Sequence, residues 1–406
     1  MEENMNGLTK FYYRTYQRIF KLATTYVLPW RVPELITGAG SIKELPTFIK
    51  DKGLKSVLVV TDNMLMKLGL VPPMLEEMDK IGLKYVVYSD VVPNPTIDNI
   101  EDALKLYKEN ECEAIVAFGG GSPMDCAKIV AARAVCPNKP VSKMKGLLKI
   151  LKKIPPFFAV PTTSGTGSEA TLAAVITDPK THDKYPINDP SIIPNYAVLD
   201  PELTVSLPKH ITSTTGMDAL THAVEAYIGL SNTDFTRKEA EIAVELIFKY
   251  LKKAYDEGSD IEARQKMQEA AYHAGCAFTR AYVGYVHAIA HSLGGKYGIP
   301  HGLANAIILP HVLDYFGDSC HESLAKLADF AGIDGATVTE KALNFVQAIK
   351  DMNEYMNIPK FVEGKIQDED ISWLVNHALK EANPLYPVPK FMGKEEMESM
   401  YQQIRG

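Results

Sequence analysis

The chain has few cysteines, and they form no pattern that suggests a disulfide framework or a zinc ribbon. It has five, and no two of them are spaced as a C-x-x-C pair: Cys112, Cys126, Cys136, Cys276 and Cys320. An odd and scattered set of this kind is typical of a reducing compartment. We therefore predict a cytoplasmic protein.

Long apolar runs and an excess of basic charge are also absent. No segment approaches the roughly 18 apolar residues of a membrane span. The aromatic N-terminal stretch is interrupted by Arg14, Arg18 and Lys21, so it lacks the apolar region of a signal peptide. Acidic residues outnumber basic ones by 50 to 43, which argues against nucleic acid as a partner. We expect neither a membrane nor a nucleic-acid partner.

The N-terminal stretch has the pattern of an amphipathic helix. Larger apolar residues and an alanine recur there at helical spacing, at Tyr12, Tyr16, Ile19, Ala23 and Val27. We predict a helix that packs against the rest of the protein through this stripe.

At 406 residues, the chain is long enough for two domains. Short apolar runs at 56–61, 84–89, 113–118 and 157–162 predict strands, with helices predicted at 64–80, 97–110 and 123–135 between them. Such alternation is typical of a mainly parallel α/β sheet. After residue 208 the period becomes helical. We predict an α/β domain at 1–206 and an all-helical domain at 207–406.

The helical half contains several metal-ligating side chains at helical spacing. Asp218 and His222 are four residues apart, His287 and His291 are four apart, and His301 follows. A spacing of four places two side chains on one helix face. A lone histidine on such a face is usually a core residue, but a carboxylate among apolar residues is costly to bury unless it is paired or metal-bound. Spacing alone does not decide between His287 and His291. The donor set suits Fe(II) or Zn(II) better than calcium or magnesium.

The α/β half contains two loops that could hold phosphate and ribose. Gly119–Gly121 follow a predicted strand, and Ser122 and Asp125 have the spacing of a helix-capping pattern, so an anion could bind at the helix start. Residues 162–168 form a second loop, rich in hydroxyls and glycine. Asp62 ends another strand, where it could bind a ribose diol and disfavour a 2′-phosphate, or simply cap the next helix.

Five segments together resemble a known family. GGGSPMDCAK, AVPTTSGTGSEAT, GMDALTHAVEAY, VHAIAHSLGG and PHGLANAIILPHV, in this order, closely resemble the iron-containing alcohol dehydrogenases, in particular the butanol and 1,3-propanediol dehydrogenases and lactaldehyde reductases of group III. The resemblance runs from about Val32 to the C-terminus. It implies a dinucleotide-binding α/β domain, an all-α metal-binding domain, and a cleft between them that holds cofactor and metal.

The resemblance also implies a function. It is NAD(H)-linked interconversion of a short-chain primary alcohol or diol with its aldehyde, the alcohol oxygen being bound by the divalent ion. The implied cofactors are NAD(H) rather than NADP, and Fe(II) with Zn(II) as the alternative. The implied partners are the small alcohol or aldehyde and further copies of the chain, in a homodimer or larger homo-oligomer.

Site residues carry over by position. The implied metal ligands are Asp218, His222, His287 and His301, with His291 as the catalytic residue beside them and Phe278 in the substrate pocket. The implied cofactor contacts are Asp62, Asn94, Gly120, Gly121, Ser122, Asp125, Thr162, Thr163, Ser164, Gly165, Thr166 and Lys184. Ala173 replaces an asparagine of the lactaldehyde reductases, which argues against a lactaldehyde-like substrate.

Three other functions fit the sequence less well. A lyase similar to dehydroquinate synthase would need several cations near the metal, but residues 213–230 contain no lysine or arginine. The motifs also fit a zinc-dependent glycerol dehydrogenase less closely. A non-catalytic binding protein would be expected to lack part of the ligand set, and none of it is missing.

Overall fold

The computed structural model describes residues 7–181 and 183–406, and its contacts divide the chain into two compact units. The α/β unit comprises Pro29–Leu207 and Ser259–Tyr272, and the helical unit comprises the residues up to Leu28, Pro208–Gly258 and His273–Gly406. The predicted domains, 1–206 and 207–406, differ from these units in the N-terminal segment and in Ser259–Tyr272. Each of these stretches bonds to residues distant in the chain. Buried Gln268, for example, donates to the carbonyls of Pro161 and Asp200.

A six-stranded parallel sheet forms the centre of the α/β unit, in the order β1-β9-β6-β4-β2-β3, and a three-stranded sheet has the order β5-β8-β7. The strands are β1 Glu34–Thr37, β2 Ser56–Val60, β3 Lys84–Tyr88, β4 Ala114–Gly119, β5 Gly146–Leu147, β6 Phe157–Pro161, β7 Ala173–Thr177, β8 Lys184–Asn188 and β9 Tyr196–Leu199. The four predicted strands are confirmed as β2, β3, β4 and β6. Every residue of β2, β4 and β6 is buried, as expected for a sheet covered on both faces.

Alternate residues of these strands enter two separate cores. Leu58 and Ile115 belong to one hydrophobic cluster, whereas Val57 and Val116 belong to the other. The helices of this part of the chain are α2 Ser41–Asp51, α3 Asn63–Lys67, α4 Pro72–Ile81, α5 Ile97–Glu109 and α6 Gly121–Val135. The single helix predicted at 64–80 is wrong, because Gly69 adopts a positive φ of 72° and Pro72 begins a new helix.

No described strand lies in the helical unit. Its helices after residue 208 are α7 Lys209–Ile228, α8 Asp234–Asp256, α9 Ile261–Ala281, which begins in the α/β unit, α10 Tyr285–Tyr297, α11 His301–Phe316, α12 His321–Phe330, α13 Val338–Tyr355, α14 Asp368–Ala382 and α15 Lys394–Arg405. The predicted fold class, an α/β half followed by an all-helical half, is therefore confirmed. None of the helices in the described ranges is both long and apolar enough to cross a membrane.

The predicted N-terminal helix is present as α1, Gly7–Val27, but the face predicted to pack is wrong. Tyr12, Ile19 and Val27 of the apolar stripe are exposed. Polar Gln17 and Thr24 are buried instead, since their side chains hydrogen-bond to backbone carbonyls.

Candidate active site

Four of the predicted metal-ligating side chains meet at one point in the helical unit. Asp218 and His222 lie on α7, His287 lies on α10, and His301 is the first residue of α11. One ligand atom from each lies within 4.8 Å of every other. Asp218 Oδ1 and His301 Nε2 are 3.5 Å apart. Two ligands bound tetrahedrally at about 2.1 Å would be about 3.4 Å apart, so this donor set fits a divalent transition metal.

Close packing of α11 on α7 brings Asp218 and His301 together. A Cβ atom at Gly302 would lie only 2.4 Å from the carbonyl oxygen of Thr214 on α7. Only glycine therefore permits this approach without a backbone shift.

Glu225 fixes the orientation of the His287 ring. Its buried carboxylate accepts hydrogen bonds from the backbone N–H of Gly284 and Val286, and its Oε2 lies 2.6 Å from His287 Nδ1. With Nδ1 engaged, Nε2 presents a lone pair to the cluster. Burial, with the neighbouring His222, His301 and His291, holds the pKa of His287 well below its ordinary value. The imidazole is therefore neutral, as a metal ligand must be.

Asn305 shows that the centre of the cluster favours positive charge. Its amide nitrogen lies 2.7 Å from Asp218 Oδ1, 3.2 Å from His287 Nε2 and 3.1 Å from His301 Nε2. The amide nitrogen, a donor group, thus faces two acceptors, the Asp218 carboxylate oxygen and His287 Nε2, and a second ring nitrogen. The same acceptors suit a cation.

His291 lies beside the cluster but outside the group of four. Its ring centroid is 5.0 Å from that of His301, and its Nδ1 is 2.7 Å from Glu381 Oε1. Tyr386 Oη donates to the same carboxylate oxygen at 2.8 Å. Burial alone would raise the pKa of the Glu381 carboxyl, but the charge and hydrogen bond of His291 and the Tyr386 hydroxyl hold it below its ordinary value. The geometry thus separates His287 from His291, which spacing could not do.

Phe278 forms one side of the cluster. Its ring stacks on His222, with centroids 4.0 Å apart and planes 11° from parallel. This contact is consistent with the predicted position of Phe278 in a substrate pocket.

In the α/β unit, the predicted cofactor loops follow parallel strands at one edge of the sheet. α6 begins at Gly121, directly after β4. Gly119 has φ 150°, and a Cβ atom there would lie 2.6 Å from Pro123, so this turn requires glycine. The first amides of α6 are suited to bind an anion.

Polar side chains surround this helix start. Ser122 does not cap the helix as predicted, because the helix has already begun; instead Ser122 Oγ accepts from the Asn94 N–H. Lys184 Nζ donates to Asn94 Oδ1 at 2.6 Å. Hydrogen bonds thus link Lys184 through Asn94 to Ser122 in the first turn of α6, and Lys184 is a cation that could bind phosphate.

A buried charge cluster supports the hydroxyl-rich loop. Asp125 accepts from Ser168 Oγ and the Val175 N–H, whereas Lys128 Nζ donates to Ser168 Oγ and to Thr171. Burial raises the pKa of Asp125 to about 6 although Lys128 lies nearby, and burial lowers the pKa of Lys128 to about 8. These bonds hold the segment that follows Thr162–Thr166. Lys128 was missed by the sequence reasoning.

Asp62 caps a helix. Its Oδ1 accepts from the Leu65 N–H at the start of α3. One of the two predicted roles is therefore confirmed, and ribose binding stays a prediction.

Glu225, Asn305, Glu381 and Tyr386 were also missed by sequence reasoning. Glu225 lies three residues after His222 and Asn305 four after His301, so helical spacing could have indicated both. Glu381 and Tyr386 are remote from His291 in the chain, and no local signal identifies them.

The chain thus combines a parallel α/β sheet with a donor set for a transition metal, an arrangement that suits a metal-dependent dehydrogenase. Comparison with known families supports this class: iron-containing alcohol dehydrogenase matches residues 33–201, and the C-terminal part of that family matches residues 212–405.

Individual proteins are similar over most of their length. Alcohol dehydrogenase 4 of Schizosaccharomyces pombe is 40% identical over 86% of this chain and 83% of its own. The NAD-dependent methanol dehydrogenase of Bacillus methanolicus is 36% identical over 88% of this chain and 94% of its own. A solved structure of 1,3-propanediol oxidoreductase, 34% identical, superimposes with a TM-score of 0.88 and covers 93% of this chain and 100% of its own. This chain belongs to the iron-containing alcohol dehydrogenase family and is an oxidoreductase that acts on alcohols.

Proposed function

We propose that the protein interconverts short-chain primary alcohols or diols and their aldehydes, using NAD(H) and an Fe(II) ion held by Asp218, His222, His287 and His301. The observation that carries the proposal is the convergence of three imidazoles and one carboxylate within 4.8 Å. Iron is supported by the family, and Zn(II) is the alternative because it accepts the same ligands.

The bound groups and the protein have separate roles in this reaction. The divalent ion supplies a Lewis acid that polarises the substrate oxygen, and the nicotinamide gives or takes the hydride. Glu225 keeps His287 in the tautomer that presents Nε2 to the ion. The stacked ring of Phe278 restricts the space beside His222 and so helps to select small substrates.

His291 moves the alcohol proton. Its Nδ1 is held by Glu381, so the proton that it relays is carried on Nε2. Its side chain is 41% exposed, which allows exchange with solvent. Tyr386 limits the positions that Glu381 can take and thus the orientation of the imidazole.

In the α/β unit, the amides of Gly120, Gly121 and Ser122 and the cation of Lys184 bind the pyrophosphate, aided by the hydroxyls of Thr162–Thr166. The Asp62 carboxylate accepts from the adenosine ribose and disfavours a 2′-phosphate, so NAD(H) is preferred to NADP(H). The NAD dependence named for the methanol dehydrogenase relative supports this preference. The two-domain division at 206/207, a homo-oligomeric assembly and a cytoplasmic location stay predictions.

The proposal is tested by stripping the protein of metal and reloading it anaerobically with Fe(II) or Zn(II). Oxidation of NADH and of NADPH is then followed with a panel of aldehydes of two to about four carbons. We expect activity that depends on metal, is highest with Fe(II) and is faster with NADH. Absence of turnover with every metal and aldehyde, in protein that still binds NADH, would refute the dehydrogenase proposal.

A further inference from the structure

Helix α1 precedes the region matched by the family, which begins at residue 33. It has no acidic residue, and its side chains described as buried, Gln17 and Thr24, are polar, while Tyr13 and Phe20 make ring contacts with Phe391 and Tyr282. An additional helix whose buried face is polar is unusual, because apolar burial normally holds such a helix in place. The partners of its polar side chains are therefore informative.

Two side chains of α1 bind one loop. Arg14 donates from Nη1 to the Val388 carbonyl at 2.7 Å and from Nη2 to the Pro389 carbonyl at 2.9 Å. Gln17 Nε2 donates to the carbonyls of Pro384 and Tyr386 at 2.9 and 2.8 Å. The Arg14 guanidinium also lies 4.1 Å from the centre of the Phe391 ring.

The composition of this loop explains why it needs such donors. Residues 383–389 read NPLYPVP, and its three prolines have no N–H to donate. A segment of this kind cannot hold its own shape with a regular backbone ladder, and its carbonyls require donors from elsewhere. Arg14 and Gln17 supply four hydrogen bonds to four carbonyls within six residues.

The same loop carries a side chain into the candidate site. Tyr386, whose carbonyl accepts from Gln17, donates its hydroxyl to Glu381 Oε1, and that oxygen lies 2.7 Å from His291 Nδ1. Hydrogen bonds thus link α1 to the backbone of Tyr386, and link the side chain of the same residue through Glu381 to the imidazole.

We propose that Arg14 and Gln17 are positioning residues for the reaction, which hold the 383–391 loop so that Tyr386 and Glu381 fix the imidazole of His291. The inference rests on the proposed role of His291 in moving the substrate proton. The proposed metal ligands lie on α7, α10 and α11, and none of the described hydrogen bonds or ring contacts of Arg14 and Gln17 reaches them. Loss of the two side chains should therefore alter proton transfer and leave metal binding unchanged.

The test uses Gln17→Leu and Arg14→Gln in the full-length, metal-loaded enzyme. Arg18→Gln is the matched control. Arg18 lies on the exposed side of the same helix and makes none of the four hydrogen bonds to the loop, so its substitution removes one charge and leaves those bonds in place. We expect kcat to fall several-fold in both test variants, and by less than the roughly 10- to 100-fold typical for a direct partner of a metal-ligating histidine, because Arg14 and Gln17 act through Tyr386 and Glu381. Metal content and the KM for NADH should stay at the wild-type values, and Arg18→Gln should behave as wild type.

A double-mutant cycle with Tyr386→Phe distinguishes the proposed positioning role from a purely structural role of α1. If Gln17 acts through the Tyr386 hydroxyl, Gln17→Leu should lower kcat less in the Tyr386→Phe background than in the wild type. The proposal would be overturned if the effects of Gln17→Leu and Tyr386→Phe on log kcat were additive, or if Gln17→Leu turned over at the wild-type rate.

Hydrogen exchange of the 383–391 peptides gives a readout without turnover. It should be faster in Gln17→Leu and unchanged in Arg18→Gln, and unaltered exchange in Gln17→Leu would also overturn the proposal. If the wild-type enzyme turns over no aldehyde, the proposed function fails, and the exchange result still decides whether α1 holds the loop.

Discussion

Replacing Glu225 with glutamine would keep the volume of this side chain and remove one of its two acceptor oxygens. In the wild type, Oε1 accepts from the Val286 N–H, and Oε2 accepts from the Gly284 N–H and faces His287 Nδ1. A glutamine must place its NH₂ group at one of these positions. If the NH₂ faces Val286, a buried backbone donor loses its acceptor. If it faces His287, the ring must accept at Nδ1 and carry its proton on Nε2, where the metal lone pair is needed.

In the second orientation the Gly284 N–H also loses its acceptor, so the two orientations differ in cost, but both remove the carboxylate charge that supports His287. A buried donor without an acceptor costs about 1 to 3 kcal/mol. Loss of a partner that orients a metal-ligating histidine typically weakens metal binding by about 10- to 100-fold, which corresponds to about 1.4 to 2.7 kcal/mol. We therefore expect Glu225→Gln to bind Zn(II) or Fe(II) about 10- to 100-fold more weakly and to regain most of its turnover at saturating metal.

The assay is competition between the apoprotein and a fluorescent chelator, followed by turnover as metal is added. Glu239→Gln is the matched control, because Glu239 lies 2.7 Å from the Nδ1 of another histidine, His273, outside the metal cluster. Its metal affinity should equal that of the wild type. If Glu225→Gln and wild type bound metal equally well, the reasoning that Glu225 sets the tautomer of His287 would be refuted.

Three further predictions concern the α/β unit. Asp62→Ala should lower the free energy of unfolding in urea by about 1 kcal/mol, because the hydrogen bond that caps α3 at Leu65 is removed. The substitution should also lower the ratio of kcat/KM for NADH to kcat/KM for NADPH, and an unchanged ratio would limit Asp62 to capping. Lys128→Met should lower the free energy of unfolding by about 3 kcal/mol or more in the same assay, since four hydrogen bonds to Ser168, Thr171 and Ala173 are lost. It should also raise the KM for NADH, because the bond to Ser168 holds the end of the hydroxyl-rich loop, and a wild-type KM would contradict this part. Burial raises the pKa of Glu169 from 4.5 to about 7, although its own backbone amide and Lys128 lower it, so the folded chain holds this proton more tightly than the unfolded chain. Its contribution to stability is thus fully present below about pH 4.5 and is lost as the pH rises through about 7. In Glu169→Gln, the free energy of unfolding should fall less steeply with pH across that window. Parallel plots of this free energy against pH for variant and wild type would contradict the prediction.

The parts of the fold that could be predicted from sequence are those with a local cause. Strands β2, β4 and β6 are apolar throughout because both sheet faces are covered, and that pattern is visible in the sequence. The exposed face of α1 was not predictable, because a helical stripe of apolar residues does not show which face meets protein. Gln17 is buried against the 383–391 loop, whose carbonyls accept from it and from Arg14, whereas buried Thr24 donates to carbonyls of its own helix.

Ser122 shows a second limit of local reasoning. The S-x-x-D spacing predicts a cap, but the helix begins one residue earlier, at Gly121. The hydroxyl of Ser122 then turns to Asn94, which lies on a different loop. A capping pattern cannot report such a contact, because it depends on where another strand ends.

The candidate site joins parts that differ in how far apart they lie in the chain. Asp218 and His222 share one helix turn, so spacing predicts them as ligands, whereas His291 meets Glu381 across 90 residues and Gln17 meets Tyr386 across 369. In the proposed reaction, the cluster of Asp218, His222, His287 and His301 binds the metal, and the distant contacts position the imidazole that is proposed to move the proton. Substitution of Glu225 should therefore change metal affinity first and turnover through it, whereas substitution of Gln17 should change turnover at full metal occupancy. Measured on the same preparations, metal content and kcat thus separate the two parts of the site.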